Sequence, residues 1–212
     1  MWDFRNNPPD QLIYGRAFNN ALNLIAGKNG GNFKRTLSDR FRQDVDVTTY
    51  SRQIRSNELN QRGAKGLTGL APNNRVNIRL YGLDVCNEKD FMHNATHENF
   101  HAWTEILHNI SGVSKDRYIN GTRYRVISGT IYKERTPEQI SRNEDNETYG
   151  GAYNECMMDI LSECAFVGYD DTLVNDTNVD EVIKNNRWHN PQNTAYARIL
   201  WFYMFNDVCI FK

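Results

Sequence analysis

The sequence predicts a mainly helical α+β protein with a small sheet, and three observations support this class. Apolar residues recur at helical spacing in three long segments: 9–26, 88–110 and 151–167. Apolar and polar residues alternate over 76–81, which is typical of a strand with one solvated face. Residues 117–133 hold two strand-like runs separated by the turn-forming pair Asn120-Gly121.

The N-terminal part is predicted to contain one strong helix followed by weaker structure. Pro8 and Pro9 stand at the start of the helix over 9–26, and Gly27 follows its end, as expected for residues that begin and interrupt helices. Residues 33–65 are rich in arginine and only weakly periodic. They therefore predict one or two short helices joined by loops.

The long helix over 88–110 has two different faces when its residues are placed about 100° apart. One face gathers mainly apolar side chains: Met92, Ala95, Asn99, Phe100, Ala102, Trp103, Ile106, Leu107 and Ile110. The other face gathers His93, His97, His101, Thr104 and His108. The apolar face is expected to lie against the core.

Further along the chain, the predicted elements are again mostly helical. Thr136-Pro137 is expected to begin a short helix, and the polar residues 142–148 are expected to form a loop. After the helix over 151–167, two more helices are predicted near 171–185 and 193–208.

Length and charge limit the domain count and the classes of partner. Residues 1–212 are predicted to form one domain, whose N-terminal part, 1–82, is basic. That part has a net charge of +7, whereas residues 83–212 have a net charge of -8. The two parts can neutralise each other by packing together, although a basic face for an anionic partner also accounts for the asymmetry. The overall charge of -1 excludes a strongly basic nucleic-acid binder.

The sequence predicts no membrane partner. Its longest apolar run, Ile199–Phe205, is too short to cross a bilayer. The N-terminus lacks the apolar core of a signal peptide, so we expect a cytoplasmic protein or one secreted by a non-classical route. Four cysteines occur without a CxxC pair, which favours reduced, buried thiols. The oligomeric state is not predicted.

The segment His97-Glu98-Asn99-Phe100-His101 contains the pattern His-Glu-x-x-His. Residues four apart in a helix lie above one another on one face, so His97 and His101 can reach the same metal ion. Glu98 is then placed to contact a water bound to that ion. The alternative is a surface helix whose histidines are merely solvated.

A second segment, Asn154-Glu155-Cys156-Met157-Met158-Asp159, reads Asn-Glu-x-x-x-Asp. Together the two segments resemble the gluzincins, the thermolysin-like branch of the zincin metallopeptidases. The resemblance covers about 80 of the 212 residues and implies a zincin-like domain whose small sheet lies next to the His-Glu-x-x-His helix. It implies one Zn²⁺ per chain, with Glu155 as third ligand beside the two histidines and Asp159 orienting His97. The alternative for both acids is an ordinary polar helix face.

A histidine as third ligand is the competing interpretation. The metzincin pattern requires Gly and His where this chain has Thr104 and Leu107, so that pattern fails. His108 lies one residue beyond the position of the third metzincin histidine, and His93 lies one turn before His97. These two histidines are expected to be solvated or to support the ligands.

The resemblance implies hydrolysis of a peptide bond in a peptide or protein substrate, with Glu98 as general base. The developing oxyanion needs a donor beside the metal, and Tyr149, Tyr153 and His189 are the residues we consider. Tyr149 is preferred, because a tyrosine about two turns before the Glu ligand resembles the lethal-factor-like branch. Each of the three can instead be a packing or surface residue. The strand within 75–82 is expected to pair with an extended substrate.

Two other functions are weighed against a peptidase. The chain could be a catalytically inactive zincin-like binding module that uses its basic N-terminal surface. The intact Glu98 argues against this, because an inactive site has no chemical use for the base. The Arg-rich stretch 34–65 could instead contact nucleic acid, but it lacks a recognition motif and contains acids of its own: Asp39, Asp44, Asp46 and Glu58. We therefore predict no nucleic-acid partner.

Overall fold

The computed structural model describes residues 2–4, 8–26, 31–52, 59 and 64–167. Within the last helix it describes no side chain for 152, 153, 163, 164, 166 or 167. The predicted helices near 171–185 and 193–208 lie outside these residues. The described part is a mixture of helix and sheet, so the predicted α+β class is confirmed at that level. None of the described helices is long and apolar enough to cross a membrane.

The helices α1 to α5 span Pro8–Ala26, Gly31–Asp44, Glu88–Ser111, Pro137–Ser141 and Gly151–Val167. The strands β1 to β8 span Trp2–Asp3, Val45–Tyr50, Gly66–Leu70, Val76–Tyr81, Asp116–Ile119, Thr122–Ile127, Thr130–Lys133 and Thr148–Tyr149. The predicted helices over 9–26, 88–110 and 151–167 and the predicted strand over 76–81 are thereby confirmed, each within one residue at either end. Thr136 caps α4 with a capping box, as the Thr-Pro pair indicated.

The first sheet has the strand order β1-β2-β4-β3 within the described residues. Strands β1, β2 and β4 are parallel, and the antiparallel β3 forms an edge. Along β2 and β4 every second side chain is buried, and this apolar face packs against α2 and α3. The expectation of only helices and loops over 33–65 was wrong, because Val45 and Val47 alternate with polar residues and form β2 on the core side.

The second sheet is an antiparallel meander with the order β5-β6-β7-β8. Its first turn is the predicted Asn120-Gly121, where both residues have positive φ, as a two-residue turn matched to the strand twist requires. The next turn, Ser128-Gly129, has the same pair of positive φ angles. The predicted strand region 117–133 is therefore confirmed as three strands, β5 to β7.

Helix α3 is the central element of the described fold. Asn87 caps its N-terminus by accepting a hydrogen bond from the Asp90 N–H, and Gly112 ends it with φ of 68°. In the middle of α3 the histidine side is covered as well, by α5 and by the first sheet. At its C-terminal end, Leu107 and Ile110 of the predicted core face are 40% and 55% exposed.

Candidate metal centre

Two histidines on neighbouring turns of α3 point their rings at one another. The Nε2 atoms of His97 and His101 lie 3.0 Å apart, and both residues are buried. The spacing of four residues places the rings on one side of the helix, and the packing of α5 against α3 keeps them there. The geometry therefore presents two imidazole nitrogens to one point.

Glu155 brings a carboxylate from α5 to the same point. Its Oε2 lies 3.0 Å from Nε2 of His97, and its Oε1 lies 3.4 Å from Nε2 of His101. Ligand atoms about 2 Å from a tetrahedral zinc ion are about 3.3 Å from one another. The three residues offer ligand atoms that all lie within 4.8 Å of each other. Their number, type and spacing fit a zinc ion with a fourth position open.

Asp159 holds His97 from the side opposite the ligand atoms. The Nδ1–H of His97 donates to Oδ1 of Asp159 over 2.7 Å, so Nε2, which lies 3.0 Å from Oε2 of Glu155, is the nitrogen left to hold a proton or a metal ion. Burial disfavours the charged imidazole, but Asp159 and Glu155 outweigh it, so the pKa of His97 lies well above its ordinary value of 6.5. The two carboxylates that favour a proton here also favour a metal cation in its place.

The carboxylate of Glu155 is half-exposed, at 49%, towards the open side of the group. Partial burial alone would raise the pKa of Glu155, but hydrogen bonds with His101 and His97 bring it well below its ordinary value. Glu155 is therefore ionised at neutral pH, which is the form that binds a metal.

Asn154 contacts the second histidine, a role that the sequence reasoning did not assign. Its Nδ2 lies 3.2 Å from Nδ1 of His101 and donates to the backbone carbonyl of Ser128 over 2.7 Å. A Cβ at Gly129 would lie 2.4 Å from Oδ1 of Asn154, so the Ser128-Gly129 turn encloses this amide. The position of Asn154 directly before Glu155 is the sequence signal that could have indicated this contact.

Glu98 lies beside the group and is held by the edge strand of the first sheet. The hydroxyl of Thr68 donates to Oε2 of Glu98 over 2.6 Å. Gly66 lies so close that a Cβ there would be 2.8 Å from Cγ of Glu98. The sequence reasoning missed both residues of β3, because the strand contains two glycines in five residues and has no clear alternation.

A cavity of about 790 Å³ opens above these residues. One wall is β3, and the other is formed by β6, β7 and the chain that follows β7. Glu98, His101 and Glu155 belong to the lining. The ligand atoms therefore lie where a molecule entering between the two sheets would meet them.

The structure does not bring the preferred oxyanion donor, Tyr149, to this group. Thr130 and Tyr132 of β7 line the cavity, so Ile131 between them points to the opposite face of the sheet. Tyr149 pairs with Ile131. Tyr149 thus lies on the other face of the second sheet, and its hydroxyl donates to the Glu147 carboxylate. That expectation is corrected.

The other sequence-derived candidates lie outside the ligand group or outside the described residues. Nε2 of His93 lies 3.9 Å from Oδ1 of Asp159, and neither His93 nor His108 belongs to the group of ligand atoms found among the described residues. The side chain of Tyr153 and all of His189 lie outside the described part of the chain.

Comparisons with protein-family models, with curated proteins and with solved structures find no match to this chain. What the site can do therefore has to be inferred from its own residues and their geometry.

Proposed function

We propose that the chain is a zinc-dependent metallopeptidase with a gluzincin-like site and a zincin-like fold. The observation that carries the proposal is the convergence of His97, His101 and Glu155 on one point. Glu98 adjoins that point, on the same side of the helix as the cavity. A mixed sheet lies against the ligand-bearing helix, and the resemblance implies a small sheet beside that helix.

His97, His101 and Glu155 would hold one Zn²⁺ per chain. A bound zinc ion supplies Lewis acidity, which polarises a peptide carbonyl and makes water more acidic. Asp159 keeps the proton of His97 on Nδ1, so that Nε2 stays available as a ligand. Asn154 contacts Nδ1 of His101 through its amide nitrogen, which also donates to the Ser128 carbonyl, and so restrains the His101 ring.

Glu98 is the residue that moves the proton. Its carboxylate accepts a proton from the attacking water and then delivers it to the nitrogen of the leaving amine. The hydrogen bond from Thr68 restrains this carboxylate beside the ligand group. Glu98 is only 7% exposed, so the carboxylate has few competing contacts with bulk water.

The edge strand β3 is suited to bind the substrate backbone. It pairs with β4 on one side, and residues 66–70 line the cavity. An extended peptide can add to such an edge through main-chain hydrogen bonds. Because Thr68 also contacts Glu98, a peptide bound along β3 lies next to the general base.

The inactive binding module remains the alternative. A binding module would not hydrolyse peptides, whether or not it binds a metal ion. The hydrogen bond from Thr68 that restrains Glu98 favours the peptidase instead. Within the described residues, most cations that line the cavity lie at 123–135 and not in the basic N-terminal part.

The experiment compares the purified protein with Glu98→Gln. We expect about one zinc ion per chain in both, cleavage of a random peptide library by the wild type, and a loss of about 10²- to 10⁴-fold in the variant, because glutamine cannot accept the proton. Glu88→Gln, an exposed acid in the same helix, should behave as the wild type. Protein without bound metal would refute the proposal, and zinc-loaded wild type that cleaves nothing would favour the binding module.

A further inference from the structure

The wall of the cavity opposite β3 is one face of the second sheet. Side chains on adjacent paired residues of an antiparallel sheet share a face, and the register pairs Arg125 with Tyr132 and Ile127 with Thr130. These four side chains line the cavity together with Arg123 and Glu134. This face, which we call the β6–β7 wall, therefore lies across the cavity from a peptide bound along β3.

The two arginines of the β6–β7 wall share one carboxylate of the neighbouring strand. Asp116 in β5 pairs with Arg123 over 2.7 Å and with Arg125 only over 3.9 Å, so one carboxylate serves two guanidinium groups. Within the described part of the chain, the Nε–H of Arg125 is buried without a hydrogen-bond acceptor. Its side chain is nevertheless 40% exposed, which leaves donors accessible from the cavity.

Side chains of both signs line the cavity. The lining cations that can face it are Arg79, Arg123, Arg125 and Arg135, and the lining acids are Glu98, Glu134 and Glu155. Lys133 also belongs to the lining, but its side chain lies on the face of Ile131 and pairs with Glu147. A zinc ion held by the proposed ligands would offset the charges of Glu98 and Glu155, so that a substrate carboxylate would meet a net positive charge within a partly enclosed space.

Arg125 lies three residues along the chain from Ser128, whose turn adjoins the ligand group. The carbonyl of Ser128 contacts Asn154, which contacts His101, and Arg125 lies three residues before Ser128. At about 3.4 Å per residue in a strand this corresponds to about 10 Å, which an extended peptide covers in about three residues. A guanidinium group here can bind a carboxylate through two parallel hydrogen bonds.

We propose that the enzyme selects peptides with an aspartate or glutamate two to four residues from the scissile bond, and that Arg125 binds that carboxylate. The inference rests on the proposed peptidase function. It concerns the choice of substrate and adds no step to the hydrolysis.

The test uses peptides chosen from the sequences that the wild type cleaves in a library. In each peptide an acid–amide pair, Asp/Asn or Glu/Gln, is scanned over four positions on either side of the scissile bond. We measure kcat/KM with the wild type, and binding of the same labelled peptides to zinc-loaded Glu98→Gln by fluorescence anisotropy. At one position two to four residues from the bond, the acid is expected to exceed the amide by about tenfold to a hundredfold, the range for a charge-assisted hydrogen bond.

Arg125→Gln should abolish that preference in both assays. Arg117→Gln is the matched control, because Arg117 pairs with Tyr124 and lies on the other face of the same sheet; it should keep the preference. Asp116→Asn removes the shared carboxylate and should keep or strengthen the preference. This variant tests the inference even if Arg125→Gln does not fold.

Three outcomes overturn the inference without affecting the proposed peptidase function. The first is cleavage with no preference for an acid. The others are a preference that is unchanged in Arg125→Gln and a preference that is lost in Asp116→Asn. A wild type that cleaves no peptide of the library overturns the proposed function itself, so the two failures are distinguishable.

Discussion

At the scale of single residues, the site depends on which nitrogen of each histidine carries a proton. The Asp159 carboxylate, only 3% exposed, accepts the Nδ1–H of His97 and so makes Nε2 the free lone pair. Asn154 lies against Nδ1 of His101 through its amide nitrogen and restrains that ring by position. A histidine without such a partner would be free to rotate or to change tautomer.

Asp159→Asn tests this orientation. An amide presents one oxygen and no charge, so we expect zinc affinity to fall about 10- to 100-fold, the usual effect of losing a partner of a metal-bound histidine. Affinity is measured by competition with a chromophoric chelator at fixed pH. Asp145→Asn, an exposed residue in the loop before α5, provides the control and should bind zinc as tightly as the wild type. Equal affinity in both variants would show that Asp159 does not support the ligand.

At the scale of elements, the important contact is the close approach of β3 to α3. Gly66 has no room for a side chain, since a Cβ there would meet Cγ of Glu98 at 2.8 Å and Cδ2 of Leu80 at 2.9 Å. Gly69, three residues further along the same strand, would meet only the end of the flexible Arg79 side chain at 3.6 Å. The two glycines thus differ in function, although the sequence shows them as the same residue.

Gly66→Ala should displace Glu98 while leaving the ligand group in place. We expect unchanged zinc content and a decrease in kcat of about a hundredfold, because misplacing a reacting group by about 1 Å costs that much. Gly69→Ala is the matched control and should retain nearly the full rate. Equal rates in the two variants would mean that the packing of β3 does not position the base.

At the scale of the whole described structure, the buried Glu105 joins α3 to the second sheet. Its side chain is fully buried, forms an ion pair with Lys115, and accepts the N–H of Ser128 over 2.8 Å. Ser128 in turn accepts a hydrogen bond from Asn154. The helix that carries the two histidines therefore also fixes the turn at the inner end of the β6–β7 wall.

Glu105→Ala should lower the free energy of unfolding by about 3 kcal/mol, because it leaves Lys115 and the Ser128 N–H without their buried partner. Urea unfolding followed by far-ultraviolet circular dichroism measures the effect. Glu144→Ala removes an exposed acid whose ion pair with Arg142 is loose, at 3.7 Å, and should change stability by less than about 0.5 kcal/mol. A loss of similar size in both variants would contradict the role of Glu105.

Much of the local structure followed from the sequence, because periodicity and turn chemistry act over a few residues. The helices over 88–110 and 151–167, the strand over 76–81 and the turn at Asn120-Gly121 were predicted in this way. The proximity of His97 and His101 was predicted for the same reason, since residues four apart on a helix lie on one face. The convergence of Glu155 with the histidines was expected from the resemblance, and the structure brings these side chains together.

Only the tertiary structure decided which elements meet across long separations in the chain. Strand β3 owes its conformation to pairing with β4, because its sequence has no alternation that would predict a strand. Thr68 reaches Glu98, Tyr149 turns away from the cavity, and Arg125 faces it, because sheet register and helix packing set these directions. The sequence alone determined which residue types could bind a metal, whereas the tertiary packing decided which of them share a cavity.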